Sequence, residues 1–126
     1  MENLVVEESI NTPLVNFNKD KGVLLLEGKA IPENPGEFFN PLFAWVEEYF
    51  GGTPLKHSIL KVKLEYINSG SSKFILEFFR LIKKYYERGN DLKVKWYYEE
   101  DDEALRDLGQ HYANTVKIPF ELIDYY

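Results

Sequence analysis

The sequence contains no cysteine, a single methionine and only two histidines in 126 residues. Without cysteine there can be no disulfide, no thiolate nucleophile and no cysteine-ligated zinc, and the composition fits a reducing compartment. His57 and His111 are far apart and form no His-x-x-x-His pair, so no transition-metal site is expected. No apolar run approaches the roughly 20 residues of a membrane-spanning helix. The opening MENLVVEESI lacks the basic start and long apolar core of a signal peptide, so neither export nor membrane insertion is expected and the cytoplasm is the expected location. Positive charge is also short. Fifteen basic residues against 21 acidic ones give a net charge of −6 and a pI near 5.0. Nucleic acid and anionic membranes, which need a basic footprint, are therefore not expected partners.

What is abundant is material for a core: 44% hydrophobic and 16% aromatic residues. A chain of this length forms one domain by the usual size relation. We place it over residues 12–126, preceded by a flexible lead-in over 1–11. LVNFN (14–18) and VLLLEGK (23–29) flank the turn-forming Asp20, Lys21 and Gly22 and predict a hairpin. AIPENPG (30–36) is too rich in proline and glycine for regular structure. EFFNPLFAWVEEYF then repeats helically through Phe38, Leu42, Trp45, Val46 and Tyr49, and Gly51 with Gly52 ends the helix.

Two segments alternate as strands. Leu60, Val62, Leu64 and Tyr66 share one face and Lys61, Lys63 and Glu65 the other; Leu92, Val94, Trp96 and Tyr98 likewise oppose Lys93, Lys95 and Glu99. Between them SKFILEFFRLIKKYYERG predicts an amphipathic helix with Phe74, Ile75, Phe78, Phe79, Ile82, Tyr85 and Tyr86 inward. A strand, a helix and a strand joined by short links imply a right-handed parallel crossover. Each strand keeps one charged face, so helices should cover mainly one side of the sheet. DDEALRDLGQHYANT predicts a third helix. VKIPFELI, with Pro119, predicts a terminal edge strand. The expected fold is a two-layer α/β sandwich with a mixed sheet and the order ββαβαβαβ.

YINSGSSK (66–73) lies where the middle strand meets the best helix. Free N–H groups and the helix dipole favour an anion there, and ligands in open α/β sheets gather outside the carboxyl ends of strands. A plain cap by Ser69 or Ser71, with Gly70 giving a turn, accounts for the same residues. The GxxxxGK[ST] and G-x-S-x-G patterns are both absent, and no base is positioned in sequence to activate a serine. An exposed serine could instead receive a phosphate. The acidic run Glu99–Glu103 reads as a helix start capped by Asp101 or Asp102 more readily than as a metal cluster, and a basic partner surface could also recognise it. The aromatic pairs in WYY (96–98) and KYYE (84–87) match core periodicity rather than a base-stacking surface. Tyr97, on the polar face of its strand, is the exception and a candidate partner anchor.

The blocks TPLVNFN, GKAIPENPGEFFNPLFAWVEEYF, LEYINSGSSKFILEFF, GNDLKVKWYYEEDDEALRDLGQHY and IPFEL, in this order from Thr12 to Leu122, resemble the SiaC family of bacterial regulatory phosphoproteins. The resemblance implies a STAS-like fold, that of the anti-sigma factor antagonists, and a partner switch rather than an enzyme. It implies phosphorylation by a dedicated protein kinase, reversal by a PP2C-type phosphatase, and an unphosphorylated form that binds an effector such as a GGDEF diguanylate cyclase. The family's Y-x-N-T-S-S-x-K stands here as Tyr66, Ile67, Asn68, Ser69, Gly70, Ser71, Ser72 and Lys73. Ser69 holds the acceptor position, with Ser71 as the alternative acceptor. The implied partner-binding residues are Glu33, Asn34, Tyr66, Asn68, Gly70 and Lys73, with no catalytic residue, metal or cofactor. Gly70 departs from the pattern and keeps open a second reading, a constitutive STAS-like scaffold without a phosphoswitch.

Overall fold

The computed structural model describes residues 1–52 and 57–126. The chain runs β1 (Leu4–Val6), β2 (Leu14–Asn18), β3 (Val23–Ala30), α1 (Pro35–Gly51), β4 (Ser58–Ile67), α2 (Ser69–Glu87), β5 (Leu92–Glu99), α3 (Glu103–Val116) and β6 (Phe120–Tyr125). The six strands lie side by side in sequence order. β1, β2 and β3 pair antiparallel, and β3 to β6 pair parallel. Three right-handed crossovers step across the sheet in one direction, which puts α1, α2 and α3 on the same face. The expected one-sided α/β sandwich is therefore the observed architecture.

The hairpin between β2 and β3 is closed as its sequence dictates. Asn18 Oδ1 accepts from the amides of Asp20 and Lys21, and Gly22 takes φ 68°, which a glycine adopts without strain. The core lies between sheet and helices, with Phe17, Leu24, Val62, Val94 and Trp96 below and Phe39, Val46, Phe78 and Phe79 above, all almost fully buried. Phe39, Phe43 and Phe74 stack along the seam between α1 and α2. Gly109 of α3 is held to a hydrogen side chain by close packing, since a Cβ there would meet the Trp96 ring at 2.5 Å.

Three local expectations are corrected. The lead-in is not loose along its length: Leu4–Val6 forms a sixth strand against β2, the Trp45 indole donates to the Glu2 carbonyl at 2.8 Å, and Asn3 Oδ1 accepts from the Lys19 amide at 2.9 Å. The inward face of α1 holds the expected Leu42, Trp45, Val46 and Tyr49 together with Phe39 and Phe50, while Phe38 is only half-buried at its margin. Tyr86 is exposed beside the inward Tyr85.

The fourth correction bears on function. Gly28 pairs with Leu64 but Lys29 pairs with Tyr66, so Glu65 has no partner on β3. This bulge turns the end of β4 by one residue. Tyr66, expected on the buried face with Leu64, is 61% exposed. Gly28 permits the kink with a φ of 127°, and the Glu8 side chain and Pro13 crowd the place where its Cβ would stand.

Candidate functional site

The N-termini of α1, α2 and α3 all lie at the carboxyl ends of the parallel strands they follow. Each is capped by a side-chain oxygen: Asn34 accepts from Glu37, Asn68 from Ser71 and Asp102 from Leu105. The α2 cap is therefore Asn68, one residue ahead of the serines expected to fill that role.

Asn68 is the most connected residue of this edge. Its amide donates to the Ala30 carbonyl at 3.2 Å, its Nδ2 donates to the Pro32 carbonyl at 3.4 Å, and its Oδ1 takes the Ser71 amide at 2.8 Å. One side chain thus joins the start of α2 to the loop before α1. Asn has both a donor and an acceptor at its tip, and both are used here.

Ser69, the first residue of α2, is exposed, and its hydroxyl forms no hydrogen bond among the described residues. Ser72 Oγ donates to the Ser69 carbonyl at 2.9 Å, steadying the backbone while leaving the hydroxyl free. The amides of the first helical turn have no intrahelical acceptor, and the helix dipole adds partial positive charge there. Lys73 is exposed four residues on, hence on the same helix face as Ser69.

Ser71 is placed quite differently. It is fully buried, and its Oγ has no hydrogen-bond partner. A kinase cannot reach it in this fold. Ser69 is the accessible hydroxyl of the two candidates. Gly70 lies against the loop before α1, where a Cβ would stand 3.2 Å from Pro35 Cγ.

The structure brings Asn68, Ser69 and Gly70 together with the Glu33–Asn34 loop through the Pro32 and Pro35 contacts. On one side is a groove of about 390 Å³ lined by Asn11, Thr12, Pro32, Glu33, Asn34 and Phe38. On another is one of about 340 Å³ between the end of β4 and α3, lined by Tyr66, Ile67, Asp102, Ala104, Leu105 and Leu108. Tyr66 lies under the Lys29 ammonium, 5.7 Å from its ring centre. Sequence alternation misses this exposed ring, and the signal that could have found it is Gly28, since a glycine inside a strand often marks a bulge. Alternation likewise gives no sign of the Pro35–Gly70 contact, which joins segments far apart in sequence.

Behind the site the Tyr112 hydroxyl of α3 donates to the Ser72 carbonyl at 2.9 Å. Burial pushes its pKa well above the ordinary tyrosine value, so the phenol stays protonated and keeps donating. His57 pairs with Asp91 at the amino end of the sheet, away from Ser69.

A match to the SiaC family, described as regulatory phosphoproteins, spans residues 6–125. The chain belongs to the SiaC family. An uncharacterized protein of Pseudomonas aeruginosa, PA14_02130, is 26% identical to this chain over 124 residues, covering 97% of this chain and 96% of its own. The crystal structure of apo-SiaC from P. aeruginosa superposes with a TM-score of 0.89 at 24% identity, over 98% of this chain and 99% of that one. SiaC in its complex with the diguanylate cyclase SiaD, which it activates, superposes with a TM-score of 0.91 at 23% identity, over 97% of this chain and 99% of that one. The SiaC fold is thus shared from end to end. No helix among the described residues is long and apolar enough to cross a membrane.

Proposed function

We propose that this SiaC-family protein is a non-enzymatic cytoplasmic partner switch, phosphorylated and dephosphorylated at Ser69, whose unphosphorylated form binds and regulates an effector of the diguanylate cyclase class. The observation that carries the proposal is the contrast between the two serines: Ser69 is exposed at the first position of α2, and Ser71 is sealed in the core. Support for the effector class comes from the P. aeruginosa relative of the same fold, solved with a diguanylate cyclase.

The partner surface in this reading comprises Asn68, Ser69 and Gly70 with Glu33, Asn34, Tyr66 and Lys73. Its binding step is steric and electrostatic. A phosphate at Ser69 adds bulk and about −1.5 to −2 charges to a surface already bordered by Glu33 and Glu37. Docking a partner would then require desolvating that dianion against carboxylates. Lys73 and the α2 amides would hold the phosphate on the protein's own side of the interface, which lowers its value to any partner. A dedicated kinase adds the group and a PP2C-type phosphatase removes it.

The test uses protein isolated from its native cells, with phosphate mapped by mass spectrometry, and binding of the wild type, Ser69→Ala and Ser69→Asp to the cell's diguanylate cyclases. Phosphate at Ser69, with cyclase binding and cyclic di-GMP synthesis kept by Ser69→Ala and lost by Ser69→Asp, is the expected result. Modification confined to another residue, or equal cyclase binding by both variants, would sink the switch.

A further inference from the structure

The sheet forks at its carboxyl edge. β4 and β5 pair in parallel only as far as Lys63 and Tyr97. Beyond that point β4 stays with β3 to Ile67, and β5 stays with β6 until Glu99 meets Tyr125. The ends of the two central strands are therefore unpaired with each other. Between them lies a recess of about 90 Å³ walled by Glu65, Tyr66, Glu99, Asp102 and Tyr125. It adjoins the groove of about 340 Å³ that has Ile67, Leu105 and Leu108 in its wall, and Glu65, Tyr66, Asp102 and Leu105 line both hollows.

Charge at this fork is one-sided. Glu65, Glu99 and Asp102 wall the two hollows, and among the described residues no lysine or arginine does. Glu65 and Glu99 form no ion pair among the described residues. Glu100, Asp101 and Glu103 continue the acidic run past the rim. Two cations border the fork, each against a ring: Lys29 lies 5.7 Å from the centre of Tyr66, and Lys63 lies 4.4 Å from that of Tyr125. Arg106, on the first turn of α3, is paired with Asp107. Six carboxylates thus stand against two ammonium groups and the α3 dipole, whose end Asp102 already caps. Tyr125 registers the excess: burial raises its pKa, and the charges of Glu99, Glu65, Glu27 and Asp102 raise it further.

We propose that the fork is a docking socket for a basic segment of a protein partner, with an arginine side chain entering the recess and an adjacent apolar side chain lying in the groove. The chemistry selects this occupant. A bare metal ion needs several carboxylates closed on one point, and no three histidine or acidic side chains among the described residues are so placed. A guanidinium is larger and planar. It reaches separated carboxylates with its several N–H donors and stacks on tyrosine rings, which here already attract Lys29 and Lys63. Nucleic acid and anionic lipid are repelled by the same charge. The apolar groove adds the burial that an exposed charge contact lacks. The recess faces the ends of β5 and β6, whereas the Glu33–Asn34 loop follows β3, so the two flank Ser69 from opposite sides and share only Tyr66. The inference goes beyond the Ser69 switch and does not depend on phosphorylation.

The test is an NMR titration of the isotope-labelled full chain with the peptide acetyl-Leu-Arg-Leu-amide, and with the same peptide carrying citrulline, the neutral isostere of arginine. The arginine peptide should shift the amides of Glu65, Tyr66, Glu99, Asp102 and Tyr125, and less so as salt is raised. Its affinity should exceed that of the citrulline peptide by about fivefold or more, fall by a similar factor in E65Q/E99Q, and be kept in Ser69→Asp. The thermal midpoint of E65Q/E99Q, which keeps side-chain volume, shows that this variant is folded. The proposal is overturned if the peptide shifts no amide, if arginine and citrulline bind alike, or if folded E65Q/E99Q binds as the wild type does. Shifts scattered over the acidic surface rather than gathered at the fork would overturn it too. So would calcium ions moving the same amides where the peptide does not, or loss of peptide binding in Ser69→Asp, which would place the peptide on the Ser69 edge.

Discussion

Gly70 and Pro35 are in contact across the junction of α1 and α2: a Cβ on residue 70 would stand 3.2 Å from Pro35 Cγ. The SiaC-family pattern has serine where this chain has Gly70, so the departure is matched by a proline ring that fills the space. The glycine is not needed for a positive φ, because it lies within the first turn of a helix. It is needed for room.

That contact gives a double-mutant prediction. In an open helix position Gly→Ala stabilises by about 1 kcal/mol. Here we expect Gly70→Ala to change stability by less than about 0.5 kcal/mol, because the Pro35 ring must move by a few tenths of an ångström. In a Pro35→Ala background the same substitution should recover the full gain, a coupling that denaturant unfolding of the four proteins would measure. Strict additivity would remove the contact as the explanation of Gly70.

Ser71 yields a second prediction. Its Oγ is buried without a partner, and a hydroxyl so placed costs about 1–3 kcal/mol of desolvation. Ser71→Ala is the substitution that lifts this cost at the smallest change in volume. We expect it to raise the thermal midpoint and to leave phosphorylation at Ser69 untouched. A destabilised Ser71→Ala protein would show that the hydroxyl has a partner in solution.

The third prediction is a pH dependence. Burial raises the Tyr112 pKa in the folded state above the ordinary value near 10. A raised folded-state pKa leaves stability intact below the unfolded value and lowers it as pH climbs from there toward the folded value. Between those limits the loss approaches about 1.4 kcal/mol per pH unit for one group. Tyr112→Phe should flatten this alkaline limb. It should also cost about 1 kcal/mol near neutral pH through the lost bond to the Ser72 carbonyl. Chemical denaturation at several pH values separates the two effects, and an alkaline limb unchanged in Tyr112→Phe would assign it to other tyrosines.

The alternation of Leu60, Val62 and Leu64 against Lys61 and Lys63, and the helical repeat from Phe74 to Tyr85, were enough to define strand, helix, crossover and covered face. These patterns are local, and hydrophobic periodicity reports them directly. For the same reason the position of YINSGSSK at a strand end and helix start was legible in one dimension. Its chemistry as a capped, anion-tolerant edge follows from helix geometry alone.

Which hydroxyl is offered there was not legible. Ser69 and Ser71 are the same residue two positions apart, and only the packing of α2 on the sheet exposes one and buries the other. The outward turn of Tyr66 depends on a bulge defined by the pairing of β3 with β4, and the room taken from residue 70 depends on Pro35, far away in sequence on another helix. The same holds for the neighbouring lysines 61 and 95, whose two alternating strands must be laid side by side before their charges meet. Local periodicity determined the elements of this protein and the capped edge at the strand ends. Long-range register and packing, which no local pattern encodes, decided which side chains that edge and the open sheet face present.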